Sequence, residues 1–197
     1  MPETLPLDPF ISEPDVRERF TTEVRAPADL VMAVASEFDL QSLRVARALF
    51  WLRGKLMGAK ATSRRKPKGL LAETLGLGWG MLVNRPPERI LCGAHCRPWQ
   101  ADVVFSAIAP DQFAGWNEPD QVKIAWSLET EPLGPERTLF AHETRVVATD
   151  EGARRKFRRY WRWARFGIIG IRLLLMPAIR RQAERRFRAQ RTAAARA

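Results

Sequence analysis

Residues 138–161 read TLFAHETRVVATDEGARRKFRRYW, and the reading of this stretch decides the fold. Its first half has the composition and alternation of a strand, which we place at Arg137 to Thr149. From Asp150 the apolar spacing changes to three and four: Phe157, Trp161, Ala164, Ile168, Ile171 and Leu175 stack on one face of a helix running to about Met176. A strand of that length reaches roughly 43 Å and the helix roughly 40 Å. The lengths match, so the helix can lie along the whole of a sheet to which the strand belongs.

Upstream, Leu133-Gly134-Pro135-Glu136 reads as a turn joining a strand from Gln121 to Pro132 with the strand just described. An even-numbered loop sets Val122, Ile124, Trp126 and Leu128 beside Leu139, Ala141, Glu143, Arg145 and Val147. Lys123, Ser127, Glu129, Thr138, His142 and Thr144 then collect on a solvated face, and an odd loop would instead turn His142 inward. Pro86-Pro87 cannot sit inside a ladder, so it marks a second turn, between Leu77 to Arg85 and Glu88 to Arg97. Even parity there sets Trp79, Met81 and Val83 beside Ile90, Cys92, Ala94 and Cys96, with Gly78, Gly80, Leu82, Asn84, Arg89, Leu91, Gly93 and His95 opposite.

Towards the N-terminus, Val16 to Arg25 alternates as a half-buried strand, with Val16, Phe20, Thr22 and Val24 on one side and Arg17, Arg19, Thr21, Glu23 and Arg25 on the other. Ala26-Pro27 starts a helix carrying Leu30, Val31, Val34 and Phe38, since proline costs nothing in a first turn. Leu43, Ala46, Leu49, Phe50 and Arg53 form a second helical pattern. Gly54 to Gly69, with Arg64-Arg65-Lys66 and no period, reads as a mobile basic loop. Pro177 predicts a kink or end of the long helix near Met176, and the residues from about Thr192 are expected to be disordered.

This order of elements, with PADLVMAVA at residues 27–35, KIAWSLETEPL at 123–133 and the opening stretch at 138–161, resembles the START-like or SRPBCC superfamily, and within it a largely uncharacterised bacterial branch. The resemblance implies an α+β helix-grip fold: a curved antiparallel sheet wrapped around a long C-terminal helix, with two short helices after the first strand. It divides the chain into an N-terminal extension (1–14), a helix-grip domain (15–178) and a basic helical extension (179–197). It also implies an apolar cavity between sheet and helix for a lipid, polyketide or similar molecule. Carriers, cyclases, hydrolases and regulators share the fold, so the resemblance names no ligand, reaction or oligomeric state.

Composition sets further bounds. The 197 residues are 46% hydrophobic and 28% charged, suited to one sizeable core. The acidic, proline-rich start does not read as a secretory signal, and the longest apolar stretch, Phe166 to Met176, is interrupted by Arg172 and too short to span a bilayer. A cytoplasmic protein is expected, with peripheral association to the inner face of the membrane as an accessory. From Arg154 onward lie fifteen of the 33 basic residues and one acid, Glu184, so the net +11 divides into +14 there and −3 before it. Arg158, Arg159, Arg162, Arg180, Arg181, Arg185 and Arg186 are the candidate surface for an acidic partner. They form a solvated face or, with Tyr160, Trp161 and Trp163 among them, meet an anionic membrane. Nucleic acid is disfavoured, because no reading motif is present.

Candidate chemistry is sparse. Cys92 and Cys96 are roughly 13 Å apart on a strand with His95 on the other face, so they read as core thiols, and no metal or cofactor is expected. Glu143 and Arg145 share a strand face, where charges need partners. Either they pair with each other, or they line the cavity and meet a ligand carbonyl or carboxylate, with Glu143 the candidate catalytic acid or base. Trp126, Ile124, Trp79, Trp99, Phe113 and Trp116 are the candidate apolar lining, and residues 110–119 form a short helix or lid over the cavity mouth. The function expected is binding of an apolar small molecule; the alternative is a cyclase- or dehydratase-like enzyme without metal, which works by shaping its substrate.

Overall fold

Asp150 accepts a hydrogen bond from the Ala153 N–H at 2.7 Å, and this cap turns the strand of the opening stretch into a helix. The computed structural model describes residues 5–39 and 69–196. Its elements are β1 (Val16–Val24), α1 (Ala28–Glu37), α2 (Leu70–Gly76), β2 (Gly80–Arg85), β3 (Arg89–Cys96), β4 (Val122–Gly134), β5 (Arg137–Ala148) and α3 (Glu151–Ala194). The strands form one antiparallel sheet in the order β1-β5-β4-β3-β2, with the first strand paired to the last. The sheet curves, α3 crosses one face and short helices lie between β1 and β2, so the fold is α+β and of the helix-grip type. The helical pattern at Leu43–Arg53 and the basic stretch 54–68 lie outside the described residues. The sequence reading missed α2, having resumed directly with strands near Leu77.

The face turned to α1 and α3, here called inner, carries Ile90, Cys92, Ala94 and Cys96 of β3 and Val122, Ile124, Trp126 and Leu128 of β4. Both cysteines are buried, and burial pushes the Cys92 thiol up to about 12. The parity expected for β5 is corrected by a single residue. Gly134 pairs with Arg137 across a two-residue turn, as an even loop requires, but the next pair is Pro132 with Thr138. Leu133 is therefore extra, a β-bulge that flips every later side chain of β5. Phe140, His142, Thr144, Val146 and Ala148 consequently face inward, opposite Thr130, Leu128, Trp126, Ile124 and Val122. Glu143 and Arg145 stand on the outer face, opposite Ser127 and Ala125. The first hairpin is corrected likewise: Arg85 pairs with Arg89, and a bulge between Met81 and Val83 leaves Met81 opposite Cys92 but puts Val83 opposite Leu91.

The outer face is not the solvated one expected. Leu7 and Ile11 of the N-terminal segment, with Ile108 and Phe113, cover Leu82, Leu91 and Ala125 there. Phe113 fits because residue 93 is glycine: a Cβ at Gly93 would lie 2.5 Å from its ring. Lys123, itself buried, donates to the carbonyls of Phe113 (3.0 Å) and Ala114 (2.8 Å) and holds this segment down. Ser127, Thr138, His142 and Thr144, also expected outside, are buried as well. With both faces covered, polar and apolar residues no longer alternate along β5.

The helix α3 runs through Pro177 to Ala194, correcting the expected end at Met176 and disorder from Thr192. Pro177 and Leu173, the residue whose carbonyl the ring leaves unpaired, are both exposed. Met176 before it and Ile179 and Ala183 after it are buried in one cluster with α1, which holds both halves against the same core. Glu184, the lone acid of this region, accepts from the Arg25 N–H at 3.2 Å and from Arg180 at 3.1 Å, fastening the far half to the end of β1.

Candidate functional site

Glu143 and Arg145 belong to an ion network on the outer face. Glu143, fully buried, accepts from Arg145 Nε at 2.7 Å and Arg19 Nη1 at 2.8 Å, with Arg17 Nε at 2.9 Å. Arg145 reaches on to the Ile11 carbonyl at 2.6 Å and Asp8 at 2.7 Å, and Arg19 forks onto both oxygens of Glu129. Three arginines meet three carboxylates, so the network is neutral. It ties β1, β4, β5 and the N-terminal segment together, and the pairing of Glu143 with Arg145 is the first of the two roles expected for them.

The other expected lining residues divide between the faces. Trp126, Ile124 and Trp79 belong to the inner side and Trp99 to its edge, where Lys156 lies 5.9 Å over the Trp99 ring. Phe113 and Trp116 pack on the outer side, Trp116 against His95 at 4.2 Å. The fold thus separates Glu143, Arg145, Phe113 and Trp116 from Trp126. Of the arginines named for an acidic partner, Arg158, Arg159, Arg162, Arg181 and Arg185 are exposed, while Arg180 pairs with Glu184 and Arg186 with Glu37 at 3.0 Å.

The inner face holds a different polar set, and the docking of α3 explains its position. Near its start Ala153 and Phe157 are buried with Val122, Val146 and Ala148; further on Leu175, Met176, Ile179 and Ala183 are buried with Val24, Phe140 and α1. Phe157 to Leu175 spans roughly 27 Å of helix, and Phe140 to Ala148 roughly 26 Å of strand, so the two anchorages sit over the two ends of β5. Between them no apolar residue of α3 is fully buried. Trp161, Ala164, Ile168 and Ile171, the middle of the expected stripe, are only half-buried.

Beneath this span stand Glu18 from β1, His142 and Thr144 from β5, and Arg172 from α3. Glu18 is opposite Thr144 in the ladder, and Arg172 Nη1 approaches Glu18 no closer than 3.6 Å, beyond hydrogen-bond length. Burial raises the Glu18 carboxyl above its ordinary value and lowers the Arg172 guanidinium; in each case the other's charge opposes the shift. His142 donates Nδ1–H to the Ser127 carbonyl at 2.7 Å, which leaves Nε2 as an acceptor. Burial, then the charge of Arg172, push its pKa down to about 3, so the ring is neutral. Trp126 lies 6.0 Å from it.

Thr144 Oγ1 and Arg172 Nη1 are both buried with no hydrogen-bond partner among the described residues. Each such atom costs about 1–3 kcal/mol when left unmatched, and both would be matched by an oxygen-bearing guest. Sequence reasoning missed this set. The available signals were the arginine inside the apolar stretch 166–176 and the odd-loop alternative for His142.

No family model and no curated protein matches the chain. Among solved structures it has a likeness to CalU16 from Micromonospora echinospora, at 15% identity over 88% of this chain and 86% of that one, with a TM-score of 0.30. A second likeness is to the Zhui aromatase/cyclase from Streptomyces sp. R1128, at 14% identity over 87% and 94%, with a TM-score of 0.30. At these values neither likeness bears on function or on the site.

Proposed function

We propose that the protein binds an apolar small molecule, a lipid, polyketide or similar compound with an oxygen-bearing end, between the inner face of the sheet and the middle of α3. One observation supports this reading above others: α3 buries apolar side chains only at 153–157 and 175–183, and the span between them carries Arg172 Nη1, 3.6 Å from Glu18 and without a hydrogen-bond partner, facing a sheet whose Thr144 Oγ1 also has none among the described residues. A stretch kept only for stability would be closed by apolar side chains, because an incompletely paired buried arginine is costly. Ile124 and Trp126 would contact the apolar body of the guest. Arg172 and Thr144 would donate to its oxygen.

A cyclase-type reaction between the same two faces is a second reading, because neutral His142 keeps a lone pair at Nε2 on the face that also carries Thr144. Such an enzyme would act by orienting a flexible chain. Native mass spectrometry of gently purified protein should show an added small-molecule mass. Binding of a fluorescent long-chain fatty acid should weaken by about tenfold or more in Ile124→Trp, which fills the space, and in Arg172→Met, which removes the anchor. Unchanged affinity in both variants would refute the proposal, and a carbon-skeleton change in a bound polyketide mimic would favour the enzyme over the carrier.

A further inference from the structure

We infer that the outer side of α3, turned away from the sheet, docks on the surface of an anionic lipid bilayer. Trp163, Phe166, Leu173 and Leu174 are 71%, 65%, 58% and 41% exposed, although large apolar side chains usually avoid water. Positions 163, 166, 170, 173, 174 and 177 follow one another in steps of three and four or stand side by side, so they form one face, opposite the side that buries Phe157, Leu175 and Ile179. Gly170 in its middle leaves open space around it. The same face continues as Arg155 and Arg159 before Trp163 and as Arg181, Arg185 and Arg188 beyond Pro177, all exposed.

Among the described residues those five arginines make no ion pair. The ion pairs that α3 makes run through Arg154, Lys156, Arg172, Arg180, Arg186 and Arg191. Arg155, Arg159, Arg181, Arg185 and Arg188 pair with no carboxylate among the described residues. Arg162 and Arg165 instead lie over the rings of Trp163 (5.5 Å) and Phe166 (4.9 Å), flanking the apolar centre.

An apolar centre roughly 16 Å long, with unpaired cations at both ends, matches one kind of occupant. No described helix is long and apolar enough to cross a membrane, so α3 would lie in the plane of the headgroups. The four apolar side chains would enter the acyl boundary while the guanidinium groups reach lipid phosphates. A second copy fits poorly, because two-fold pairing of this face sets Arg155 and Arg159 of one chain against Arg181 and Arg185 of the other. A nucleic acid backbone would meet the arginines but leave the apolar centre facing phosphate.

Cosedimentation with phosphatidylcholine vesicles, with and without phosphatidylglycerol, tests this. Binding is expected only with phosphatidylglycerol, weakened by salt and reduced roughly tenfold or more in the Phe166→Ser/Leu173→Ser double variant. Arg155→Gln/Arg181→Gln should also weaken it, with a shallower salt dependence. Both pairs are exposed, so unchanged thermal melts are expected. The wild-type minus Trp163→Phe emission spectrum should shift to the blue on binding. Equal binding to both vesicle types, or binding indifferent to the apolar variant, overturns the inference. So does an oligomer that the apolar variant dissolves in protein that ignores vesicles, which would assign the face to a second copy, or duplex DNA binding without vesicle binding.

Discussion

Arg145 Nε donates to Glu143 Oε1 at 2.7 Å across one step of β5, and neither side chain reaches water. Two further arginines hold the same carboxylate and Asp8 holds the far side of Arg145, so each charge is balanced where it stands. Removing Glu143 leaves the buried Arg145 with Asp8 alone and takes a carboxylate from Arg19 and Arg17. Glu143→Gln should therefore lower unfolding free energy by about 3–5 kcal/mol, read as a drop in the urea midpoint. The fatty-acid affinity of the folded fraction should stay unchanged, because the network is on the face away from α3. A stable Glu143→Gln protein that no longer binds would return Glu143 to the ligand site.

Leu133 is the extra residue between the Pro132–Thr138 and Gly134–Arg137 pairs, and it is partly exposed. Deleting it joins those two pairs directly, giving a regular two-residue hairpin with every later pair intact. The deletion should cost no more than about 1 kcal/mol and leave His142 buried. Deleting Ala141, inside the ladder, should slip one strand against the other and prevent folding. Chemical denaturation of the two deletions separates these outcomes, and equal damage from both would contradict the role given to the bulge.

The two bulges also explain which parts of the molecule were legible in the sequence. The order of elements, the turn at Pro86-Pro87 and the long helix beyond Asp150 all follow from periodicity and turn chemistry, which are local properties. The face on which a β5 side chain stands depends on counting residues through the turn, and a single bulged Leu133 reverses that count without disturbing the alternation. In a sheet with one wet face the error would have been visible, since charged residues would have been driven inward. Here Lys123, Glu143 and Arg145 find partners on a covered outer face, and His142 and Thr144 are buried on the inner one, so β5 reads acceptably either way. Pro177 does not end the helix for a related reason: the intrinsic cost of proline in a helix is outweighed where Met176, Ile179 and Ala183 are buried on both sides of it.

His142 supplies a pH-dependent test of the inner face. Its pKa in the fold is about 3 against an ordinary 6.5, so between those values the unfolded chain binds the proton more readily than the native protein does. The stability that depends on the neutral ring is complete above pH 6.5 and is lost as the pH falls towards 3, at up to about 1.4 kcal/mol per pH unit. Carboxylates protonate in part of the same range, so the informative quantity is the difference between wild type and His142→Gln, whose side chain does not titrate. That difference should favour wild type at pH 7 and shrink steadily by pH 5, read from urea midpoints at each pH. An Arg172→Met protein should show a weaker dependence, because the second cause of the depressed value, the charge facing His142 from α3, is then removed. A difference between wild type and His142→Gln that stays constant from pH 7 to pH 5 would mean that the ring is open to water and that the space under α3 is wetter than its burial indicates.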